Sequence, residues 1–244
     1  MVDSQDMLKQ RAAERGVEFI EPGMIIGLGH GTTTAFAIRK IAQALQSGEL
    51  FDILAVPCSR QVEQEAKRLK IPLTTLEKHP SLNLTIDGAD EVDPKFNLIK
   101  GGGGALLREK IVAQASRREI IVVDESKLSP ALGTHWTVPV ELVPFGWRSQ
   151  SAYIESLGAK VSLRMRDEGG QFHTDQGNLI LDCNFGPITD PGLLAAELNS
   201  RAGVVEHGLF VGLATDVIVA DAGGIRQLVK DQEGRSEQLS HRTR

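Results

Sequence analysis

Short apolar segments alternate with longer helical segments along the first half of this chain, and this alternation limits the folds that the chain can adopt. The apolar runs lie at residues 24–28, 53–56, 82–86 and 120–123. The helical patterns lie at residues 5–19, 34–46 and 59–69 and again after residue 104. Strands that alternate with helices are typical of a parallel sheet covered by helices. We therefore expect an α/β fold.

The pattern changes after Pro130. Residues 160–165 and 178–183 alternate in polarity, which predicts antiparallel strands, and residues 193–199 predict a helix that packs on them. Residues 209–213 and 217–220 return to the pattern of buried strands, and we expect them to rejoin the first sheet.

This change divides the chain into three parts. The first domain takes residues 1–130 together with residues 208–230. Residues 131–207 form a smaller α+β domain. Residues 231–244 are polar and without periodicity, and we expect a disordered tail there.

The bulk composition indicates a globular protein. The 244 residues are 41% hydrophobic and 24% charged, which is ordinary for globular domains. The formal net charge of −5 gives no general attraction to nucleic acid, and we therefore expect no nucleic-acid partner.

The cysteine content and the N-terminal sequence indicate the cellular compartment of the protein. Cys58 and Cys183 lie far apart without metal-ligand spacing, which predicts neither a disulfide framework nor a zinc site. The first eleven residues carry no apolar leader, and no apolar run approaches the roughly 18 residues of a membrane span. We expect a cytoplasmic protein without a membrane partner.

A glycine- and threonine-rich turn follows the first predicted strand, with the sequence Gly27-Leu28-Gly29-His30-Gly31-Thr32-Thr33-Thr34. Thr32 replaces the third glycine of a dinucleotide fingerprint, and the second strand does not end at an acid for a ribose hydroxyl, so the turn does not favour NAD. Its amides, hydroxyls and helix N-terminus suit a phosphate monoester. Simple capping of the helix by a threonine is the alternative.

A cluster of acids lies at residues 87–93, with Asp87, Asp90, Glu91 and Asp93. A calcium loop is excluded because Ala89 and Val92 occupy the third and sixth positions, where an oxygen ligand and a glycine are required. Two interpretations stay open. The cluster is a solvated acidic turn, or its carboxylates exchange protons with sugar hydroxyls.

Four consecutive glycines at residues 101–104 run directly into an apolar helix. Glycine gives up backbone entropy on folding and adds no packing, so the run predicts positive φ angles or a ligand in contact with bare backbone. Glu109 falls on the same helical face as Leu106 and Val112, which predicts a buried carboxylate with a raised pKa. Such a group is a good base, and a structural ion pair is the alternative.

Two lysines flank these motifs. Lys100 precedes the glycines, and Lys127 follows the strand at residues 120–123. Together they would place two cations near an anionic ligand or a developing oxyanion. His30 either faces that ligand or only fills a position in its turn.

These motifs together resemble the A-type ribose-5-phosphate isomerase family, and the resemblance extends over residues 5–230. The matching segments are Gly29-His30-Gly31-Thr32-Thr33, Asp87-Gly88-Ala89-Asp90-Glu91, Lys100-Gly101-Gly102-Gly103, Arg108-Glu109-Lys110 and Asp124-Glu125-Ser126-Lys127. The acidic and glycine-run motifs are highly specific in combination, whereas the glycine–threonine turn alone is weak.

The resemblance implies an intramolecular oxidoreductase, an isomerase that interconverts D-ribose 5-phosphate and D-ribulose 5-phosphate through a cis-enediolate in the pentose phosphate pathway. It implies no cofactor and no required metal. It also implies a homodimer or homotetramer, in which a Rossmann-like domain is interrupted by a small ferredoxin-like domain.

The resemblance also implies roles for individual residues. The catalytic residues would be Glu109, Asp87, Asp90 and Lys100. Glu109 would carry a proton between C2 and C1, and Asp87 would assist ring opening and proton exchange between the oxygens. The substrate-binding residues would be His30, Gly31, Thr32, Thr33, Asp87, Gly88, Ala89, Asp90, Lys100, Gly101, Gly102, Gly103, Lys127 and Lys9.

The chain departs from the family pattern at a few positions. His30 stands where threonine is usual, Thr32 where serine is usual, Gly104 where alanine is common and Leu107 where threonine is common. Each proposed proton-transfer group is present, so we expect activity.

Three alternatives remain. A sugar-phosphate sensor would bind a similar ligand without turnover, but the chain starts directly on its first α/β unit and keeps acid, base and cation groups that binding alone does not need. An amino-sugar phosphate deaminase-isomerase or a coenzyme A transferase would share the architecture. The acidic motif argues against both.

Overall fold

The computed structural model describes residues 4–230 and 236–239. The helices are α1 (Gln5–Val17), α2 (Thr32–Ser47), α3 (Arg60–Arg68), α4 (Leu106–Gln114), α5 (Trp147–Ser156) and α6 (Pro191–Asn199), with a 3-10 turn at Glu125–Lys127. The strands are β1 (Ile25–Leu28), β2 (Leu54–Pro57), β3 (Leu84–Asp87), β4 (Glu91–Val92), β5 (Leu98–Ile99), β6 (Glu119–Asp124), β7 (Val138–Leu142), β8 (Lys160–Leu163), β9 (Leu179–Asn184), β10 (Val204–His207), β11 (Leu209–Phe210), β12 (Asp216–Asp221), β13 (Gly224–Lys230) and β14 (Ser236–Leu239).

A seven-stranded sheet in the order β14-β13-β12-β6-β3-β1-β2 forms the centre of the larger part of the molecule. The five strands from β12 to β2 are parallel, and β13 and β14 are antiparallel to their neighbours. This arrangement confirms the predicted α/β fold with a parallel sheet.

Both faces of this sheet are covered. On β6, Ile120 and Val122 pack in one apolar core with residues of α1 and α2, whereas Ile121 and Val123 pack in another with Ala113 of α4. Successive side chains of a strand point to opposite faces, so a continuous apolar run is what a strand buried on both faces requires.

A four-stranded antiparallel sheet in the order β10-β7-β9-β8 forms the smaller part. The chain order β7-α5-β8-β9-α6-β10 is that of a ferredoxin-like unit. Helices α5 and α6 pack on the sheet through Ile154 and Leu198. The sequence patterns predicted β8, β9 and α6 of this unit, but not β7, α5 or β10. The exact domain boundaries at residues 131 and 207 stay a prediction.

A third sheet corrects one expectation. Residues 209–213 were expected to rejoin the large sheet, but β11 pairs with β5 in a three-stranded sheet in the order β11-β5-β4. The backbone N–H of Lys100 donates to the carbonyl of Gly208 at 2.9 Å beside this pairing. An apolar run indicates that a strand is buried but does not identify its partner.

The C-terminal segment was expected to be a disordered tail. Within residues 231–244 the structure describes only β14, which pairs antiparallel with β13. An edge strand offers unpaired N–H and C=O groups, and β14 satisfies those of β13. The remainder of this prediction lies outside the described residues.

The carboxyl ends of the parallel strands place the site. Strands β1, β3 and β6 end at Leu28, Asp87 and Asp124, and the predicted binding motifs follow directly. Ligands of open α/β sheets bind at this edge. Among the helices that the structure describes, none is long and apolar enough to cross a membrane.

Candidate active site

Three buried charged side chains meet beyond the carboxyl end of β3. The Lys100 Nζ lies 2.9 Å from Asp87 Oδ2 and 3.0 Å from Glu109 Oε1. It also donates to the carbonyl of Gly88 at 2.6 Å. Each of the three charged residues is at most 3% exposed. The acidic motif, the lysine and the helix after the glycines, which are separate in the sequence, are therefore brought together.

The environment changes the protonation of this cluster. Burial raises the pKa of Glu109 to about 8, a rise that the Lys100 ammonium opposes and the Asp87 carboxylate strengthens. Burial lowers the pKa of Lys100, but the two carboxylates outweigh it and the net pKa lies above the ordinary value. A carboxyl that titrates close to neutral pH thus lies beside a permanent cation. The pair can remove a proton from carbon and stabilise the resulting oxyanion.

Helix α4 orients Glu109 inward. The residues that the sequence placed on one face with Glu109 are buried, namely Ala105, Leu106, Val112 and Ala113. The Oε2 atom of Glu109 accepts no hydrogen bond from the described part of the chain. One carboxylate oxygen is therefore held by Lys100, and the other is buried with no hydrogen-bond donor among the described residues.

Asp87 and Asp90 are held by backbone amides. Asp87 Oδ1 accepts hydrogen bonds from the amides of His30 at 3.1 Å and Gly88 at 2.7 Å. Asp90 Oδ2 accepts from the amide of Gly102 at 2.7 Å. Burial raises the pKa of Asp90, and the bond from Gly102 opposes this rise. Both carboxylates are therefore fixed in position.

The other two acids of the motif have structural roles. Glu91 accepts from the amides of Gly133 and His135 at 2.7 and 2.9 Å. Asp93 accepts from the amides of Lys95 and Asn97, both at 2.8 Å. Glu91 and Asp93 are buried. The interpretation of this run as a solvated acidic turn is therefore wrong.

Cys58 lies behind the charged cluster. Its Sγ and one carboxylate oxygen each of Asp87 and Glu109 lie within 4.8 Å of one another, a grouping that could hold a metal ion. Burial raises the pKa of the Cys58 thiol, which keeps it protonated, and a metal ligand must be deprotonated. Lys100 already supplies positive charge to both carboxylates. The donor set therefore does not favour a metal.

Helix α2 begins at the glycine–threonine turn. Among the described residues no side chain caps its N-terminus, and its first turn carries no acid. The Thr34 hydroxyl instead donates to the carbonyl of Gly31 at 2.9 Å. Capping by a threonine is therefore not observed. The first amides of the helix and its dipole are suited to an anion.

His30 faces the cavity. Its Nδ1 lies 3.0 Å from Ser59 Oγ, which accepts a hydrogen bond from the amide of Val62. We assign the Ser59 hydroxyl as the donor of this hydrogen bond and Nδ1 as its acceptor. In that tautomer the ring proton is on Nε2. Burial lowers the pKa of His30, so the ring is neutral. A Cβ atom on Gly103 would lie 2.4 Å from this Nε2, so only glycine leaves room for the ring.

One cavity collects most of the predicted residues. Its lining consists of His30, Gly31, Thr32, Thr33, Thr34, Gly88, Ala89, Asp90, Lys100, Gly101, Gly102, Gly103, Glu109 and Lys127. The Lys127 ammonium lies 4.8 Å from the centroid of the Trp136 ring. Asp87 contacts this cavity through Lys100. Lys9 is not brought to it, and its ammonium lies 3.7 Å from the Asp6 carboxylate on α1.

Sequence reasoning missed three side chains near the site. Ser59 forms a hydrogen bond with His30, and the centroid of the Phe210 ring lies 5.5 Å from the Lys100 ammonium and 4.9 Å from the Lys110 ammonium. The strand pattern around Phe210 predicted its burial but not its partners. Arg164 donates to the glycine loop from 63 residues away, and no local motif marks it.

The chain matches known proteins over most of its length. Residues 54–224 match the model of the family ribose 5-phosphate isomerase A (phosphoriboisomerase A). The ribose-5-phosphate isomerase A of Chloroflexus aurantiacus is 56% identical over 231 residues, which cover 95% of this chain and 97% of that protein. The protein of the same name from Desulfatibacillum aliphaticivorans is 55% identical, with coverage of 92% and 98%.

Solved structures show the same likeness. A D-ribose-5-phosphate isomerase in complex with phospho-erythronic acid superposes with a TM-score of 0.91 at 39% identity, over 93% of this chain and all of that one. The ribose 5-phosphate isomerase of Plasmodium falciparum gives a TM-score of 0.90 at 39% identity, with coverage of 93% and 99%. On sequence, fold and site together, the chain belongs to the ribose 5-phosphate isomerase A family.

Proposed function

We propose that this chain interconverts D-ribose 5-phosphate and D-ribulose 5-phosphate through a cis-enediolate, as an intramolecular oxidoreductase of the pentose phosphate pathway. The observation that carries this function is the buried cluster of Asp87, Lys100 and Glu109 in a cavity that also holds the uncapped N-terminus of α2. The site thus combines acid–base chemistry with a place for a phosphate. The close relatives named ribose-5-phosphate isomerase A support the same activity.

The phosphate is bound at the start of α2. Thr32 and Thr33 offer hydroxyls and first-turn amides there, and both residues line the cavity. Lys127, which lines the same cavity, balances the phosphate charge. One solved relative is described as a complex with phospho-erythronic acid, a phosphorylated sugar acid, which supports a site for this class of ligand.

The proton transfer is carried by Glu109. It removes the proton from C2 of the open-chain aldose, the electrons of that bond form a C1–C2 double bond, and O1 becomes negative. Transfer of the O2 proton to O1 and return of the proton from Glu109 to C1 then give the ketose, with a C2=O2 carbonyl and a neutral O1 hydroxyl. The raised pKa of Glu109 matches a base that works close to neutral pH.

The remaining groups stabilise charge and orient the sugar. Lys100 and the amides of Gly101 and Gly103 stabilise the enediolate, whereas the Gly102 amide is bound to Asp90. Asp87 assists ring opening and proton exchange between O1 and O2, and the Lys100 ammonium at 2.9 Å connects it to the cavity. Asp90 orients the sugar hydroxyls. The neutral ring of His30 offers its Nε2 proton to a substrate oxygen.

The test is the appearance of ketose from ribose 5-phosphate with the purified protein, and of aldose in the reverse direction. Unphosphorylated ribose is the matched control. We expect its kcat/KM to be at least about 100-fold lower, because it lacks the charged contacts at α2. Binding of ribose 5-phosphate without turnover would instead indicate a sensor, and ammonia release from glucosamine 6-phosphate would indicate a deaminase.

We also propose that the chain acts as a homodimer or homotetramer in the cytoplasm. The family resemblance supports the assembly, and the two buried, free cysteines are compatible with a reducing compartment. The net charge of −5 supports a small-molecule substrate rather than nucleic acid. Light scattering on the purified protein measures the assembly directly.

A further inference from the structure

Arg164 connects the small antiparallel sheet to the glycine loop of the site. It follows β8, and its Nη1 donates to the carbonyl of Gly101 at 2.8 Å and to the carbonyl of Gly102 at 3.0 Å. These two carbonyls belong to residues that line the cavity. A side chain of the smaller unit therefore holds the backbone of the larger one at the site.

The guanidinium of Arg164 is itself held in place. Asp182 of the neighbouring strand β9 forms an ion pair with it through two hydrogen bonds, one of which joins Nε to Oδ2 at 2.9 Å. The Phe172 ring lies 5.8 Å from its Cζ atom. A bidentate arginine–carboxylate pair fixes orientation as well as position. Both partners of the ion pair are largely buried, with side chains 14% and 23% exposed.

The loop needs such support because it has few constraints of its own. Gly101 and Gly104 adopt left-handed φ angles of 99° and 81°, and residues 101–104 have no side chains that could pack. Within the loop the amide of Gly104 donates to the carbonyl of Gly101. A loop of this composition loses more conformational entropy on folding than any other of its length.

Anchored carbonyls fix the direction of the neighbouring amides. The described peptide bonds are all trans, so a carbonyl and the N–H of the following residue point in opposite directions. The Gly101 carbonyl accepts a hydrogen bond from Arg164, so the Gly102 amide points away from Arg164. It donates to Asp90. Because the Gly102 carbonyl also accepts from Arg164, the Gly103 amide points away from the guanidinium as well, and Gly103 lines the cavity.

We propose that Arg164 is a positioning residue for the isomerisation, which orients the two peptide planes that hold Asp90 and direct the Gly103 amide at the substrate. The inference rests on the proposed function. Arg164 does not line the cavity, so it acts through the loop. Its loss therefore affects stabilisation of the transition state more than affinity for the substrate.

The experiment compares Arg164→Met, Arg164→Lys and the control Arg166→Met in steady-state kinetics with ribose 5-phosphate. Arg166 is exposed and lies two residues away, so the control removes the same charge from the same segment. We expect Arg164→Met to lower kcat about 10- to 100-fold, because misplaced groups cost about this much, and to change KM less than about threefold. Arg164→Lys keeps one charged donor and should recover part of the loss.

Three results would overturn the inference: a kcat of Arg164→Met within about twofold of the wild type, a rise in KM alone, or an equal loss in Arg166→Met. If circular dichroism shows that Arg164→Met does not fold, Asp182→Asn replaces it as the test variant. We expect Asp182→Asn to lower kcat, but less than Arg164→Met would. An unchanged kcat in Asp182→Asn would overturn the inference. A wild-type chain without isomerase activity would count against the proposed function itself, which is a different outcome from an active wild type with an unaffected Arg164 variant.

Discussion

Glu109 illustrates how one side chain acquires chemistry from its surroundings. A solvated glutamate is a weak base at neutral pH, but burial raises the pKa of Glu109 to about 8 while Lys100 keeps its charged form accessible. The sequence predicted the burial because Glu109 shares a face with apolar residues. It did not predict that Lys100 would contact Asp87 and Glu109 at once, since that depends on three segments folding together.

Replacing Glu109 tests the base directly. We expect Glu109→Gln to lower kcat at least about 100-fold, the usual scale for the loss of acid–base catalysis, because the amide keeps the shape but cannot accept the proton. Steady-state assay of ketose formation measures the effect. Glu49→Gln, at an exposed glutamate, is the control and should keep full activity. Full activity in Glu109→Gln would remove Glu109 from its proposed role.

The pH dependence of the reaction tests the coupling of Asp87 to Glu109. The base acts in its deprotonated form, so kcat/KM should rise with pH through the pKa of about 8 and then level off. The negative charge of Asp87 raises the pKa of Glu109. In Asp87→Asn the rise of the residual activity should therefore move to lower pH.

The measurement is the profile of kcat/KM between about pH 5 and 10 for both proteins. The substrate phosphate titrates identically in the two assays, so the difference between the profiles reports on the enzyme. A midpoint that stays in place or moves to higher pH in Asp87→Asn would contradict the coupling.

At the scale of elements, most of the site residues that the sequence predicted lie where a strand ends or a helix begins. Each binding motif lies at or directly after the end of a strand, within a few residues along the chain, so its signal is local. The two-residue strands β4, β5 and β11 are too short to show a periodicity, and the pairing of β5 with β11 joins residues about a hundred positions apart. Tertiary contacts rather than local pattern form that sheet.

The proposed phosphate site at the N-terminus of α2 can be tested by substitution. Changing Thr32 and Thr33 together to alanine removes two hydroxyls but leaves the helix amides, and alanine favours the helix. We expect KM to rise about 10- to 100-fold, as for lost hydrogen bonds to a charged group, with little change in kcat. Initial rates over a range of ribose 5-phosphate concentrations separate the two constants.

Thr189→Ala is the control for this double variant. Thr189 is an exposed threonine between β9 and α6 of the smaller unit, and its replacement should leave KM unchanged. An unchanged KM in the double variant would place the phosphate at another part of the cavity.

On the scale of the whole molecule, the site depends on contact between the smaller antiparallel unit and the glycine loop of the larger unit. The sequence indicated a break near residue 130 and a smaller unit beyond it, but not that Arg164 of this unit would reach the glycine loop. Composition marks where one unit ends, whereas the contacts between units depend on how their surfaces fit. The acid, lysine and glycine motifs were therefore predictable, and the residues that hold them from across the molecule were not.

The reaction should need only side chains of this protein and no metal ion. Lys100 already neutralises the carboxylates that a metal would bind. We expect activity to persist after exhaustive treatment with a chelator, measured against an untreated sample of the same preparation. A loss that an added divalent ion restores would contradict this expectation and would point to Cys58, Asp87 and Glu109 as ligands.

The uncapped start of α2 makes the stability of the protein depend on the concentration of its substrate. In the proposed site the phosphate of the substrate would accept hydrogen bonds from the first amides of α2, which no described side chain caps, so the bound sugar phosphate would complete the end of the helix. A ligand that binds only the native state adds about 2.7 kcal/mol to the free energy of unfolding at a concentration 100 times its Kd. A cell rich in pentose phosphates would thus keep this enzyme folded longer at elevated temperature, and starvation would shorten its lifetime before any change in synthesis.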